Sequence, residues 1–240
     1  MSGSNRDISS QIEFHDQCAQ NWTEGYERYG FKRRLKFITS IINHSVKEGE
    51  TWLDLGCGSG VLTDQLMKRA AVVVGVDKSP LMLSMAASKL DSNCVSFVQG
   101  DAHDSTWSES RVFDGVLSSS VIEYLDDPDQ VIRQISRVLK DDGLLIISIP
   151  NKQSFIRKFQ KVLRFLLKLY GKDKFAYLDF SRFEIEPSFV KEWLKQANLL
   201  LISCSGFDPL IPRSLFLIFQ PSLLICEAKK FKNSAHCDLK

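Results

Sequence analysis

The sequence predicts an α/β fold: a single doubly wound, mostly parallel seven-stranded sheet with helices on both faces, an N-terminal helical cover and a helical insertion after the fifth strand. Three observations predict it. Apolar runs of strand length alternate with longer amphipathic stretches, the pattern of a parallel sheet covered by helices. A glycine cluster, Gly56-Cys57-Gly58-Ser59-Gly60, stands where the first such run hands over to a helix. The 240 residues, 44% hydrophobic and 25% charged, suffice for one well-buried core and lack the charge excess that keeps chains disordered.

In chain order, Ile8 to Ser45 reads as two helices, the second with Leu35, Ile38, Ile41 and Ile42 on one face, placed to cover an open sheet edge. Strands are expected at Thr51–Leu55, Val72–Val76, Val95–Gln99, Gly115–Ser118, Leu144–Ile149, Leu200–Ser203 and Leu223–Ala228. Between them, a helix from Gly60 to Lys68 follows the glycine turn. The next, Pro80 to Leu90, opens with Ser79 as N-cap and Pro80 in the first turn, and Asp129 to Leu139 ends at Asp141-Asp142-Gly143. A last helix spans Pro187 to Ala197. One domain over 1–240 is expected: a cover over 1–49, a binding core over 50–150, an insertion over 151–185, the last helix and strands over 186–228, and a basic tail over 229–240 that frays.

A formal net charge of +2 excludes a global electrostatic pull toward nucleic acid or membranes, so any such message must be local. Met1 to Ser10 is polar, without the apolar core of a signal peptide, and the longest apolar stretch, Leu215 to Cys226, is short for a bilayer span and broken by Gln220-Pro221. A cytoplasmic location is the expectation. Six cysteines without CxxC spacing read as reduced thiols, with no metal site.

The segment that carries chemistry is Leu53-Asp54-Leu55-Gly56-Cys57-Gly58-Ser59-Gly60. Glycines there let the backbone approach a ligand without an intervening Cβ, and the following helix aims free N–H groups at the same spot. A dinucleotide fingerprint has the same logic, but Val61 stands where that pattern wants its third glycine, and Asp54 precedes the first. Val72-Val73-Val74-Gly75-Val76-Asp77 ends in a carboxylate able to accept both hydrogen bonds of a ribose diol, about 20 residues beyond the glycines. Alone, Asp77 reads equally as a turn residue or N-cap. Lys78-Ser79-Pro80-Leu81-Met82, Gly100-Asp101-Ala102, and Phe113-Asp114-Gly115 through Ser118 to Tyr124-Leu125 follow in order.

Together these motifs resemble those of the class I S-adenosylmethionine-dependent methyltransferases, from about Glu50 to Ile149. The resemblance implies S-adenosyl-L-methionine as cofactor and methyl transfer by in-line displacement. It places Asp54, Gly56, Cys57, Gly58 and Gly60 in the cofactor loop and Asp77 at the ribose. Lys78, Met82, Asp101 and Ala102 then lie around the adenine, with the backbone at Ser118 facing the methionine part. Asp101 without that context is a turn residue. Holding donor and nucleophile aligned in a dry pocket suffices for most of such a reaction, so no catalytic triad is implied. His15, His103, Glu123 and Tyr124 are the candidates for a base; relatives often carry Glu-His where this chain has Glu123-Tyr124, and Tyr124 is a poor base near neutral pH. Trp22 and Tyr26, four apart on the first helix, either close over the cofactor or pack on the sheet edge.

In the insertion, Phe155, Phe159, Val162, Leu163, Leu166 and Tyr170 form one helical stripe, and Arg157, Lys161, Arg164 and Lys168 lie opposite. Three readings stand: a helix packed on the core with a solvated charged back, a lid over the acceptor pocket, or a peripheral membrane contact through 155–170. The placement is similar in layout to the quinone-precursor methyltransferases of the ubiquinone pathway, which implies a small, hydrophobic acceptor taken by O- or N-methylation. The competing readings are a catalytically silent S-adenosylmethionine-binding subunit, a nicotinamide-dependent oxidoreductase, and a methyltransferase of protein or nucleic acid. The missing third glycine argues against the oxidoreductase. Without an Asn-Pro-Pro-Tyr-like loop or a basic domain, no nucleic-acid partner is expected.

Overall fold

The structure is a computed structural model that describes residues 29–70, 72–90, 93–104, 107, 112–169 and 177–231. His15, Trp22 and Tyr26 lie outside the described residues. The strands β1 (Thr51–Leu55), β2 (Val72–Asp77), β3 (Val95–Gln99), β4 (Phe113–Ser118), β5 (Leu139–Pro150), β6 (Leu199–Phe207) and β7 (Leu223–Lys230) form one sheet in the order β3-β2-β1-β4-β5-β7-β6. The pairs from β3 across to β5 are parallel, and β7 runs antiparallel to both β5 and β6. The helices are α1 (Tyr29–Ser45), α2 (Val61–Met67), α3 (Pro80–Lys89), α4 (Pro128–Val138), α5 (Phe155–Leu169), α6 (Tyr177–Phe180) and α7 (Val190–Gln196).

Alternate residues of the central strands feed two cores. On one face Leu53, Leu55, Val116, Leu145 and Ile147 pack against Val131, Ile132 and Ile135 of α4 and Val190 and Leu194 of α7. On the other, Trp52, Val73, Leu117 and Ile146 meet Ile38, Ile42 and Val46 of the α1 region and Leu62 and Leu66 of α2. Strands with both faces covered are apolar almost throughout, which is why β1 and β2 stand out in the sequence.

Three expectations need correction. The turn placed at Asp141-Asp142-Gly143 is a bulge inside β5: Phe113 pairs with Leu139 and Gly115 with Leu144, so residues 140–143 bow out, with Asp142 at φ 61°. The helix stops earlier because Leu139, 1% exposed, turns extended to join the core. At the other end, Lys229 and Lys230 belong to β7 rather than to a frayed tail. They pair with Leu200 and Leu199, and Lys230 Nζ donates to Leu139 O at 2.6 Å.

The third correction concerns α5, which packs the reverse way from a helix with a solvated charged back. Arg157 and Arg164 are buried, each 7% exposed, while Phe155, Phe159, Val162 and Leu166 are 47–59% exposed. The surface beneath is not apolar but acidic. Arg157 Nε donates to Glu184 Oε1 at 3.0 Å and its NH2 to Ser181 Oγ at 2.9 Å, and Arg164 NH2 donates to Asp179 Oδ2 at 2.8 Å. Among the described residues no helix is long and apolar enough to cross a membrane.

Candidate active site

The strand order reverses between β1 and β4, so the loops leaving their carboxyl ends part to opposite faces and leave a crevice. The cavity there is walled by residues 54–59 at the end of β1, 76–79 at the end of β2, 100–103 after β3 and 119–121 and 124–126 after β4, with Phe31 and Arg34 of α1 also lining it.

The glycines have separate duties. Gly56 and Cys57 donate their N–H groups to Val76 O at 2.7 and 2.9 Å, tying the loop to β2. At Gly56, with φ 75°, a Cβ would sit 2.1 Å from Val121 Cγ2, so no side chain fits. Gly58 also has positive φ, 53°, but a Cβ there would meet nothing within 4 Å: bare backbone faces the cavity. Gly60 starts α2 and is not in the cavity wall; its Cβ would collide with Leu90 of the α3 region at 2.9 Å.

Asp77, at the end of β2, straps this loop. Its Oδ2 accepts from Gly58 N at 2.8 Å and its Oδ1 from Ser79 N at 2.9 Å. The carboxylate stands in the cavity wall. Ser79 in turn caps α3 by accepting from Met82 N at 3.1 Å, with Pro80 in the first turn, which seats Met82 in the wall. Asp101 accepts from Lys78 Nζ at 2.5 Å and from the His103 backbone N–H at 3.0 Å. Burial pushes its carboxyl upward, but the His103 N–H and Lys78 outweigh that and hold it below the usual carboxylate range. Ala102 completes this side.

Asp54, 2% exposed, has a different setting. Burial pushes its carboxyl up to about 7; the Thr63 hydroxyl, donating at 2.7 Å, opposes this and the nearby Asp77 adds to it. The Cys57 thiol beside it is pushed up by burial, then by Asp54 and Asp77, which keeps it a neutral wall group. Ser59, also in the wall, has a buried hydroxyl with no hydrogen-bond partner.

The exit of β4 differs from expectation by one residue. Ser118 is fully buried and outside the wall; Ser119 and Ser120 line it, Ser120 at φ 61°. Tyr124 lines the cavity, whereas Glu123, 6% exposed, is not part of its wall. Burial drives the Glu123 carboxyl up, with its own N–H, Arg34, Arg157 and Ser120 offsetting part of that. His103 has both ring nitrogens engaged: Nε2 accepts from Asp127 N at 3.3 Å and Nδ1 faces Asp101 Oδ1 at 3.1 Å, which fixes the proton on Nδ1.

Phe31 and Arg34 escaped the sequence reading. Arg34 NH2 donates to Ser119 Oγ at 2.6 Å and to Ser148 Oγ at 3.2 Å, holding a guanidinium at the cavity. Its signal was available: Arg34 shares a four-residue spacing with Ile38 and Ile42, so a cation stands on the stripe that faces the sheet.

Comparison with known proteins decides what this crevice belongs to. Residues 53–147 match the family described as methyltransferase domain. The chain is 30% identical over 186 residues to the ubiquinone biosynthesis O-methyltransferase of Alkalilimnicola ehrlichii, covering 75% of this chain and 72% of that protein. The chain belongs to the class I S-adenosylmethionine-dependent methyltransferases. The protein of the same name from Hahella chejuensis is 29% identical over 216 residues, 86% of this methyltransferase and 88% of its relative. Among solved structures, magnesium protoporphyrin IX methyltransferase of Synechocystis with bound S-adenosylhomocysteine superimposes with a TM-score of 0.61 at 17% identity, over 84% of each chain. An S-adenosylmethionine-dependent methyltransferase from Mesorhizobium loti gives 0.61 at 15%, over 85% of this chain and 98% of that one. These likenesses are of fold. The enzyme's cofactor is S-adenosylmethionine, and the crevice suits it: bare backbone at Gly58, an unpartnered hydroxyl at Ser59, and the carboxylates of Asp54, Asp77 and Asp101 in a wall that is otherwise largely apolar.

Proposed function

We propose that this methyltransferase transfers a methyl group to an oxygen of a small, apolar acceptor, and that the crevice beyond β1, β2 and β4 holds its cofactor. The observation that carries the assignment of the crevice is the Asp77 carboxylate, which ends β2 in the cavity wall and braces the bare backbone of the glycine loop at Gly58 N. In this reading Asp77 holds the ribose, the Lys78–Asp101 pair and Met82 flank the adenine, and Ala102 offers its backbone. The ammonium of the methionine part lies toward Asp54, and Arg34 takes its carboxylate. The cofactor supplies a methyl group already activated on a sulfonium.

The chain's own work is alignment and exclusion of water. Gly58 lets backbone lie against the ligand, and Tyr124 and Leu125 close the side from which an acceptor enters. His103 is poorly placed as a base because both nitrogens are committed, and Glu123 is buried outside the cavity wall. The Tyr124 hydroxyl is left to orient an acceptor oxygen. O-methylation rests on the curated relatives, which are named ubiquinone biosynthesis O-methyltransferases, and the small apolar acceptor and a peripheral membrane contact through 155–170 are part of this reading.

Calorimetric titration with S-adenosylhomocysteine and with NAD tests the crevice: saturable binding of the first alone is expected, and the reverse sinks the reading. A screen of catechols, other phenols, amines and carboxylates for cofactor-dependent gain of one methyl group tests the acceptor. Methylation confined to amines overturns the oxygen assignment.

A further inference from the structure

We infer that Cys204 and Cys226 are a redox-active thiol pair, which closes into a disulfide by exchange with a small-molecule disulfide such as oxidised glutathione entering at Cys204. The two residues face each other directly across the antiparallel pair of β6 and β7, and their Sγ atoms lie 2.8 Å apart. Directly opposed residues of such a pair have Cα atoms about 4.5–5.5 Å apart, inside the range of about 4.4–6.8 Å that a disulfide spans. The register is regular here: Ser203 pairs with Glu227 and Ser205 with Ile225, on either side of the cysteines. Closing the bond to about 2.05 Å therefore asks for a side-chain adjustment and no slip of the strands. The cysteines stand 22 positions apart, so no short spacing announces the pair.

The two thiols differ in access and in acidity. Cys204 is exposed on β6, the last strand in the sheet order, whereas Cys226, 0% exposed, lies on β7 between β5 and β6. Contact with the Cys226 thiol holds the Cys204 thiol below its ordinary range and outweighs its partial burial. The same contact, with burial, pushes the Cys226 thiol up. An accessible, acidified thiol beside a second one is the setting in which oxidation is selective and reversible.

The exchange runs in two displacements. The Cys204 thiolate attacks one sulfur of the small disulfide, whose S–S bond breaks and releases one thiolate. Cys226 then loses its proton, attacks Cys204 Sγ and expels the second thiolate. Two protein thiols are oxidised, one small disulfide is reduced to two thiols, and the two protons end on those thiols. The new bond ties β6 to β7 just ahead of Phe207, whose ring lies 5.8 Å from Phe37 of α1, and of Pro209, whose carbonyl accepts from Arg33 Nη1 at 2.8 Å. Oxidation thus clamps the strand on which α1, with Phe31 and Arg34 in the cavity wall, rests.

Equilibration of the full chain with mixtures of oxidised and reduced glutathione, followed by acid quench, alkylation and peptide mass spectrometry, tests this. Wild type should accumulate a linked Cys204–Cys226 peptide pair, with hydrogen exchange over 199–207 slowed several-fold, and dithiothreitol should reverse both. Cys226→Ser should stop at a glutathione adduct on Cys204, and Cys204→Ser should leave Cys226 unmodified. Unchanged thermal midpoints of the reduced variants show that they fold, and the wild-type result stands without them. A wild type that keeps both thiols while the exposed Cys94 takes up glutathione, or a pair that links only in urea, overturns the inference. So does a glutathione adduct that persists on Cys204 of the wild type, or a link through Cys204 to a second chain, since either shows a lone reactive thiol.

Discussion

α4 and α5 carry the same kind of sequence pattern and use it in opposite ways. In α4, Val131, Ile132, Ile135 and Val138 are at most 4% exposed, and Asp129, Arg133 and Arg137 face water. In α5 the apolar stripe faces water, and the arginines opposite it are packed against protein. The difference lies beneath each helix. Under α4 is the sheet face of Val116, Leu145 and Ile147; beside α5 is a strap, 178–185, that meets its arginines with Asp179, Ser181 and Glu184. Periodicity says that a helix has two faces, and the neighbour decides which goes down.

The largest expected effect separates the two helices by stability. Ile135→Ala in α4 should cost about 2–5 kcal/mol, the range for truncating a fully buried aliphatic side chain. Leu166→Ala in α5, equally part of an apolar stripe, should change stability by less than about 0.5 kcal/mol. Urea denaturation measures both, and equal losses would mean that α5 packs its stripe inward.

A second effect should appear on the inner face of α5. Arg157→Ala leaves Glu184 largely buried with Lys161 as its remaining cation, and a loss of about 2 kcal/mol is expected at neutral pH, below the range for a fully uncompensated charge. Burial pushes the Glu184 carboxyl up, but Lys161 and Arg157 outweigh it and hold it below its ordinary 4.5. The pair's contribution is therefore complete above that value and is lost as pH falls through the lowered one. The gap between wild type and variant should close on acidification. A gap that is constant with pH would assign the loss to packing of the arginine stem.

The same contrast explains what could be read from the sequence. The sheet and the glycine turn after β1 were legible because buried parallel strands and positive-φ backbone each restrict residue type locally: apolar runs, and glycine at φ 53° and 75°. The bulge at 140–143 was not, since Leu139 leaves the helix to meet Phe113 across the sheet, a long-range demand. Ser118 was placed one residue early because alternation at a strand's end decides which serine turns into the crevice, and boundaries are the least legible feature. The inversion of α5 depends on Asp179 and Glu184, which follow the helix in sequence but announce no partner.

Around the crevice, Asp77→Ala should weaken S-adenosylhomocysteine binding by about 1.5–3 kcal/mol, as for lost hydrogen bonds to a charged group. Part of that loss comes from releasing Gly58 N. Asp77→Asn keeps one acceptor oxygen and should recover some of it, whereas a purely structural Asp77 would leave affinity unchanged in both variants while lowering the thermal midpoint.

The smallest signal concerns the one buried carboxylate of the wall that has no cation. Arg157 and Arg164 are buried with carboxylates, whereas Asp54 has the Thr63 hydroxyl, and burial lifts it to about 7. Because its folded value exceeds its ordinary 3.8, the folded state binds the extra proton between those values, and Asp54 costs stability progressively as pH rises from about 4 to 7. Asp54→Asn should therefore be more stable than wild type at pH 8 and nearly equal to it at acid pH. A ligand that brings an ammonium toward Asp54 favours the ionised form, so binding near neutral pH should expel protons. With a value near 7, roughly three quarters of the Asp54 carboxyls are protonated at pH 6.5, which sets the upper limit of release per site. Titrating S-adenosylhomocysteine in buffers of different ionisation enthalpy reads that fraction directly, and Asp54→Asn should abolish it. Proton uptake, or release that persists in Asp54→Asn, would show that the ammonium is received elsewhere in the crevice.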